Sequence, residues 1–245
     1  MNILMTGNEG FIGTRLQQRL EAQGHTVDGI DLKGGQDILT CDLDYDPDLV
    51  IHLAGRSGVR ESFKDPSAYW FNNVDGSRRI FEKFRNKRIL YASSSSAHEP
   101  TRNPYAASKY IMDMMASEME LCSVGMRFHT VYDEVPRPGM FLDKLFNGTL
   151  EYVTEHTRDF IHLNDVIDAI DILISSEYNG VIDIGTGKEV RVQDFAPNLP
   201  LKLDTPLERQ RTCADTTMMK SLGFEPKYDF TEFVMSKLNN SGENK

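Results

Sequence analysis

The chain has 245 residues, enough for one large α/β domain or a main domain with a small annex. Hydrophobic content of 40% with 26% charged residues is that of a globular protein whose core needs no disulfide staples. With 27 basic against 37 acidic residues, the net charge of −10 argues against nucleic acids and anionic membrane surfaces as partners. Cys41, Cys122 and Cys213 are far apart and form no CxxC, so neither a disulfide framework nor a metal site is expected. No apolar run approaches the ~20 residues of a membrane span. The best, residues 167–174, is broken by Asp168 and Asp171. Residues 1–6 already read as a strand with no basic segment before them, so a cytoplasmic protein is expected.

In chain order, residues 2–5 form a short apolar strand. Residues 11–23 carry Phe11, Ile12, Leu16 and Leu20 at helical spacing, and Gly24 stands where a C-terminal glycine ends a helix. Strands are predicted at 26–31 and 49–53, a helix over 68–84, a strand at 88–93, a helix over 105–122 and a strand at 124–129. Strands alternating with helices predict a parallel sheet covered on both faces, the Rossmann-type doubly wound α/β fold. After Tyr132 the pattern changes, and Pro136 and Pro138 punctuate a loop. Shorter elements follow at 150–153, 164–175 (helix) and 181–184 (strand). Pro197, Pro200 and Pro206 then precede helical stretches at 216–222 and 230–238.

The first strand runs into Thr6-Gly7-Asn8-Glu9-Gly10-Phe11-Ile12-Gly13 and then a helix. Glycines spaced GxxGxxG permit a tight turn and let the backbone approach a pyrophosphate, while the helix N-terminus offers N–H groups and a positive dipole end. The position between strand and helix points to a dinucleotide. Asp31 ends the second strand, 21 residues after Gly10, where an acid holds the adenosine ribose hydroxyls. A carboxylate there repels a 2′-phosphate, which favours NAD over NADP, with Lys33 weakening the preference slightly. Asp42 is a candidate for the adenine amino group, among Asp44, Asp46 and Asp48 in one acidic loop. The chain therefore divides into an NAD-binding Rossmann domain (1–132), whose core continues into the second half, and a reduced, irregular substrate-binding region interleaved with it (133–238). A polar, disordered tail is expected at 239–245.

Tyr105-Ala-Ala-Ser-Lys109 opens a helix, and positions i and i+4 share one face. A lysine ammonium beside a phenol lowers its pKa from ~10 by stabilising the phenolate. The tyrosine can then take a proton from a sugar hydroxyl while the carbon loses hydride to NAD⁺. Lys109 is also placed to bind the nicotinamide ribose. YxxxK alone is common on helices. Here the strand at 88–93 enters Ser93-Ser94-Ser95-Ser96 at the carboxyl end of the sheet, where a serine hydroxyl can hydrogen-bond the reacting oxygen.

Together, TGNEGFIG, Asp31, VIHLAG, YASSSS, YAASK and RDFIHLND resemble the extended short-chain dehydrogenase/reductase family of nucleotide-sugar epimerases and dehydratases, from Met1 to about Phe233. Gly58-Val59-Arg60, Asn73-Val74-Asp75-Gly76, residues 127–132 and Arg137-Pro138 are similar to its UDP-sugar 4-epimerases, particularly those of uronic acids. The resemblance implies Tyr105 as acid/base, Lys109 as its partner and Ser94 as the catalytic serine, with Ser95 beside it on the substrate side. It implies Gly7, Gly10, Phe11, Ile12 and Gly13 around the pyrophosphate, Leu53 and Ala54 along the cofactor, and Asn73 in a structural or cofactor-side role. Arg158 matches an arginine that grips the substrate diphosphate, and Arg209 is a looser match to a second. Bidentate guanidinium suits phosphate oxygens. A homodimer through residues 68–84 and 105–122 is also implied. The chain departs from the pattern at Ala97-His98-Glu99, at Tyr132-Asp133-Glu134 and in a shortened stretch between Ser94 and Tyr105.

Three reactions share these parts. A 4-epimerase needs little beyond Ser, Tyr, Lys and tightly held NAD⁺. A 4,6-dehydratase needs an added acid/base pair, and Ser95 and Ser96 stand where the carboxylates would follow Ser94. A 4-keto reductase usually prefers NADPH, against which Asp31 argues. Epimerisation of a nucleotide sugar, UDP-linked by preference, is the expectation. A non-catalytic NAD-binding regulatory or scaffold module is the alternative of another class. His98 reads as a loop histidine and His52 as a core histidine. Met112, Met114, Met115 and Met119 read as packing residues, and Asp165 as N-terminal support for its helix.

Overall fold

The computed structural model describes residues 1–202 and 207–242. Pro206 lies outside the described residues.

The chain opens with β1 (Asn2–Thr6), buried from its second residue onward, as a parallel strand covered on both faces should be. Helix α1 (Phe11–Ala22) turns Leu16 and Leu20 inward. It ends at Gly24, whose φ of +83° is a left-handed conformation open to glycine. β2 (Thr26–Ile30) and the wholly buried β3 (Leu49–His52) follow.

The single helix expected over 68–84 is divided. After α2 (Val59–Lys64) come α3 (Pro66–Tyr69), a π-helical stretch (Trp70–Asp75) and α4 (Gly76–Lys83). The wider π turn carries Asn73, fully buried, to the backbone of Arg56. Gly76 sits where a Cβ would stand 2.5 Å from Cδ1 of Ile38, so the helix can lie against that side chain. β4 (Arg88–Ser94) leads through a 3₁₀ turn (Ser95–His98) to α5 (Pro104–Glu118) and β5 (Ser123–Phe128).

The later elements are short: β6 (Thr130–Tyr132), α6 (Phe141–Phe146), β7 (Thr157–Arg158) and β8 (Phe160–His162). Next come α7 (Leu163–Ser175), β9 (Gly180–Ile184), β10 (Val190–Arg191), a 3₁₀ turn (Val192–Phe195), α8 (Thr217–Ser221) and α9 (Phe230–Gly242). The element expected at 150–153 reduces to one bridge, Val153 to Leu201. The tail expected from residue 239 is helical through Gly242, and residues 243–245 lie outside the described residues.

The main sheet has the order β2-β1-β3-β4-β5-β9, and β1 to β5 pair in parallel. The chain goes one way from β1 to β2 and the other way to β3, β4 and β5. The carboxyl end of β1 is therefore the switch point at which such sheets bind ligands. This is the expected doubly wound α/β fold.

Two compact units divide the chain. The first comprises Met1–Phe128 and Leu173–Ile182, the second His129–Ile172 and Asp183–Lys245. In the first, Leu4, Val50, Ile89 and Tyr91 of the strands pack with Phe81 and Met112 of α4 and α5. In the second, Tyr132, Leu142, Phe160, Phe230 and Val234 form the core, with Phe160 stacked on Phe230 at 3.7 Å between ring centres.

The second unit is also tied by two buried carboxylates. Asp165, read from sequence as support for the start of its helix, stands in the first turn of α7 and also accepts the backbone N–H groups of Lys227 and Tyr228. Asp159 is fully buried. One of its oxygens accepts the N–H and hydroxyl of Thr186, and the other accepts the N–H groups of Gly187 and Ala214. Asp159→Ala would strand all of these donors in a dry site. The expected cost is roughly 3–5 kcal/mol of unfolding free energy. Urea denaturation checks it, and a loss below about 1 kcal/mol would contradict the account.

Candidate functional site

The glycine loop follows β1. Gly7, at φ +75°, donates its N–H to the Ile30 carbonyl at 2.8 Å and accepts from Gly10 at 3.0 Å. A Cβ at Gly7 would meet the backbone nitrogen of Ala54 at 2.6 Å, and one at Gly13 would run into the Gly7 carbonyl. The loop, the end of β3 and the first turn of α1 thus approach within backbone contact, which only glycine permits. Gly10 precedes α1 and offers no side chain to cap it, and the first turn, with Phe11 and Ile12, holds no acid. The positive end of the α1 dipole therefore meets no carboxylate in its own first turn. This cradle fits a pyrophosphate.

Leu53 and Ala54 leave β3 beside it, with their N–H groups bound to the carbonyl and hydroxyl of Thr6 at 2.9 and 3.3 Å. His52 is buried between Thr6 Oγ1 at 2.6 Å and Ser77 Oγ at 2.8 Å. Desolvation, aided by the nearby Lys109 charge, holds its pKa down at about 3. It is a neutral core histidine.

Asp31 stands just past β2. Its carboxylate accepts the N–H of Glu9 at 3.0 Å and of Lys33 at 2.9 Å, while Lys33 Nζ donates to the Glu9 carbonyl at 2.6 Å. Asp31 is thereby joined to the glycine loop. Asp42 is exposed in the following loop. The neighbouring Cys41 carbonyl is held by Arg79.

Ser94 ends β4 with its hydroxyl accepting from Ser96 N at 3.1 Å, so it caps the 3₁₀ turn. Ser94 and Ser95 are both buried. Glu99 is paired with Arg102. Asn103 then caps α5 by accepting the Ala106 N–H at 2.7 Å, and Pro104 occupies the first turn. This start places Tyr105 in the first turn and Lys109 one turn later. The Tyr105 ring meets Tyr69 edge-on at 6.1 Å, and the Tyr69 hydroxyl is anchored on the carbonyls of Ser57 and Gly58.

Lys109 is 4% exposed and donates to the Ala92 carbonyl at 2.6 Å, two residues before Ser94. A Cβ on Gly55 would stand 3.4 Å from its Nζ. Burial lowers its pKa to about 8, and the Asp113 charge acts against that fall. The ammonium so links α5 to the carboxyl ends of β3 and β4. Asn73 joins the same knot through Ser108 Oγ at 2.9 Å, and Ser108 donates to the Tyr105 carbonyl at 2.8 Å. Its role in the structure is to hold the backbone.

Arg158 lies in the second unit, in β7. One end of its guanidinium donates to the carbonyls of Thr157 and Arg209, the other to Glu208 Oε2 at 3.2 Å and His156 Nδ1 at 3.0 Å. Arg209 contributes its carbonyl to this arrangement. On the same unit, a cavity of about 490 Å³ is lined by His156, Thr157, Glu189, Arg191 and Arg211.

Sequence reading passed over Asp159 and the buried pair Asp113–Arg127, joined at 2.9 Å. The only signal for Asp113 was its place four residues after Lys109. His98 is exposed and reaches Arg127 at 3.4 Å. Among the described residues no helix is long and apolar enough to cross a membrane, and no group of three or more His, Cys, Asp or Glu can hold a metal ion.

A sequence model of the NAD dependent epimerase/dehydratase family matches residues 3–185. Protein CapI of Staphylococcus aureus is 29% identical over 279 aligned positions, covering 83% of this chain and 84% of that protein. A probable UDP-glucuronate 4-epimerase of Rhizobium meliloti is 26% identical over 324 positions, covering 96% of this chain and 95% of its own. This chain has 245 residues, so the alignment spans both proteins with many gaps in the shorter one. Among solved structures, MoeE5 in complex with UDP-glucose and NAD superposes with a TM-score of 0.86 at 26% identity, covering 100% of this chain and 99% of that one. The glycine cradle, the Asp31 position and the Tyr105–Lys109 helix are thus features of a chain that belongs to the NAD dependent epimerase/dehydratase family, with NAD as its cofactor.

Proposed function

We propose that the protein is a nucleotide-sugar 4-epimerase acting by transient oxidation at sugar C4, with a UDP-sugar as the favoured substrate. The observation that carries this reading is the buried Lys109 ammonium, bound to Ala92 beside the serine-tipped end of β4 and one helical turn from Tyr105. Such a charge favours the phenolate of Tyr105, which takes the proton from the C4 hydroxyl and later returns it. Ser94 holds the same oxygen. Gly7, Gly10, Phe11, Ile12 and Gly13 hold the pyrophosphate of NAD, Asp31 its adenosine ribose and Asp42 its adenine, while Leu53 and Ala54 flank it. Bound NAD supplies the acceptor and donor of the C4 hydride. Arg158 and Arg209 take the substrate diphosphate, with Ser95 on the sugar side.

The sequence after Ser94 supports epimerisation over dehydration. Elimination of water needs an extra acid and base. Ser95 and Ser96 occupy the positions after Ser94, and Glu99 is engaged by Arg102. One relative is named a probable UDP-glucuronate 4-epimerase, and the UDP-glucose bound in MoeE5 supports a UDP-sugar as substrate.

The test is incubation of the purified protein with UDP-, GDP- and dTDP-sugars, with products followed by NMR. An interconverted pair of C4 epimers is expected. A 4-keto-6-deoxy product would mean dehydration, and no change across the panel would mean a non-catalytic module. Tyr105→Phe should lower turnover by about 100-fold or more while NAD stays bound. Arg158→Ala should raise KM for the nucleotide sugar about tenfold or more and leave NAD affinity unchanged, as titrations with each ligand will measure.

A homodimer through residues 68–84 and 105–122 belongs to the same reading. Trp70, Phe71, Tyr110 and Met114 on these stretches are exposed apolar side chains, at 42, 57, 37 and 41%. Sedimentation should give twice the chain mass, and Phe71→Asp should shift it to the single chain.

A further inference from the structure

α5 carries a third polar side chain in line with Tyr105 and Lys109. Asp113 lies four residues beyond Lys109, so both project from the same helix face. It is 7% exposed, in a position where an apolar residue would seal the helix against the sheet. A buried carboxylate persists only when it is paired and hydrogen-bonded. Here Arg127 of β5 donates its Nε to Asp113 Oδ2 at 2.9 Å, and Tyr91 and Ser93 of β4 stand against the carboxyl. The cluster spans α5, β4 and β5 one helical turn beyond Lys109, and the chemistry described above makes no use of it.

We propose that Asp113, fixed by Arg127, is a positioning residue of the catalytic helix, whose carboxylate keeps the Lys109 ammonium charged beside Tyr105. The inference rests on the assignment of Tyr105 and Lys109 made above.

The surroundings of Lys109 leave this task to Asp113. On α5 it has Tyr105 and Asp113. From β3 comes His52, which is neutral because desolvation lowers its pKa to about 3. From β4 come Tyr91 and Ser93, and from the π-helical stretch Asn73, none of them charged. Tyr69, beside Tyr105, has its pKa raised, chiefly by burial. Arg127, which His98 touches, is a cation. Burial pulls the Lys109 pKa down to about 8, and Asp113 is the carboxylate that opposes it. Burial also pushes the Asp113 pKa up, and Arg127 pulls it back toward the charged form. The two pairs therefore act in series.

The sign follows. Lys109 assists only as the ammonium, so activity falls as pH rises through its pKa. Without the Asp113 charge that pKa drops, and the alkaline limb of the pH–rate profile moves to lower pH. Asp113→Asn should move it down by about one pH unit, making turnover on that limb about tenfold lower than native while the acid side changes little. Asp113→Glu should restore the limb. Arg127→Met leaves the carboxyl buried and unpaired, so it should take up a proton and give the same shift, with no further shift in the double variant. A second readout needs no turnover. The ultraviolet phenolate band of Tyr105, taken as a difference against Tyr105→Phe, should titrate at higher pH in Asp113→Asn. An unmoved limb, a uniform loss at every pH, or an unshifted phenolate titration would overturn the inference. Full activity of Tyr105→Phe would instead remove the assignment of the base on which it rests.

Discussion

The structure around the candidate site depends on one constraint, the ammonium of Lys109 taken out of water. A buried lysine charge is expensive, and burial lowers its pKa. The hydrogen bond to the Ala92 carbonyl at 2.6 Å and the Asp113 charge offset part of that penalty. Both require α5 to sit in one register against β4. The Asn103 cap and Pro104 set where the helix begins, and Asn73 reaches the same first turn through Ser108 and the Tyr105 carbonyl. A slip of one residue would rotate Lys109 by about 100° around the helix and away from Ala92. The Asn103 cap of α5 and the π-helical interruption before α4 thus serve the placement of one charge.

The glycine loop answers the opposite problem at the neighbouring strand ends. There the backbone must come close without side chains, and Gly7 and Gly13 let the β1 loop press on Ala54 and on the start of α1. Thr6 connects the two arrangements. Its hydroxyl meets His52 and the Ala54 N–H, so the end of β3 is held between the loop that follows β1 and the lysine that reaches Gly55. His52 stays neutral in this position, with the Lys109 charge beside it.

The alternating strands and helices of residues 1–128 were legible because parallel strands are apolar throughout and helices keep a 3.6 period. The π-helical stretch was not, since its apolar spacing over 68–84 resembles that of an ordinary helix. Its reason is the distant partner of Asn73. The helices α7, α8 and α9 of the second unit were also legible, whereas its short strands escaped for a related cause. β7 and β10 have two residues each, too few for any period, and they exist because each pairs with a segment remote in sequence. Among site residues, Gly7, Asp31, Ser94, Tyr105 and Lys109 stood out because motif and spacing are local. Asp113 and Asp159 did not. A carboxylate on a helix or after an arginine looks solvated until the residues that bury it, Arg127 for one and Thr186, Gly187 and Ala214 for the other, are brought beside it.

Arg158, proposed above to take the substrate diphosphate, shows how such a charge is held in a chain of net charge −10. Its guanidinium is held by carbonyls on one side and by Glu208 and His156 on the other. A single carboxylate is a weaker partner for a guanidinium than a diphosphate, which brings more charge and more acceptor oxygens to the same fork. Exchange of one for the other therefore favours the ligand without leaving the arginine unpaired at any stage. The carbonyl contacts to Thr157 and Arg209 do not depend on that exchange and fix the direction in which the fork points. On the proposed reading, recognition of the diphosphate is then a substitution at an oriented cation, and the entropy of ordering the side chain is already spent in the folded protein.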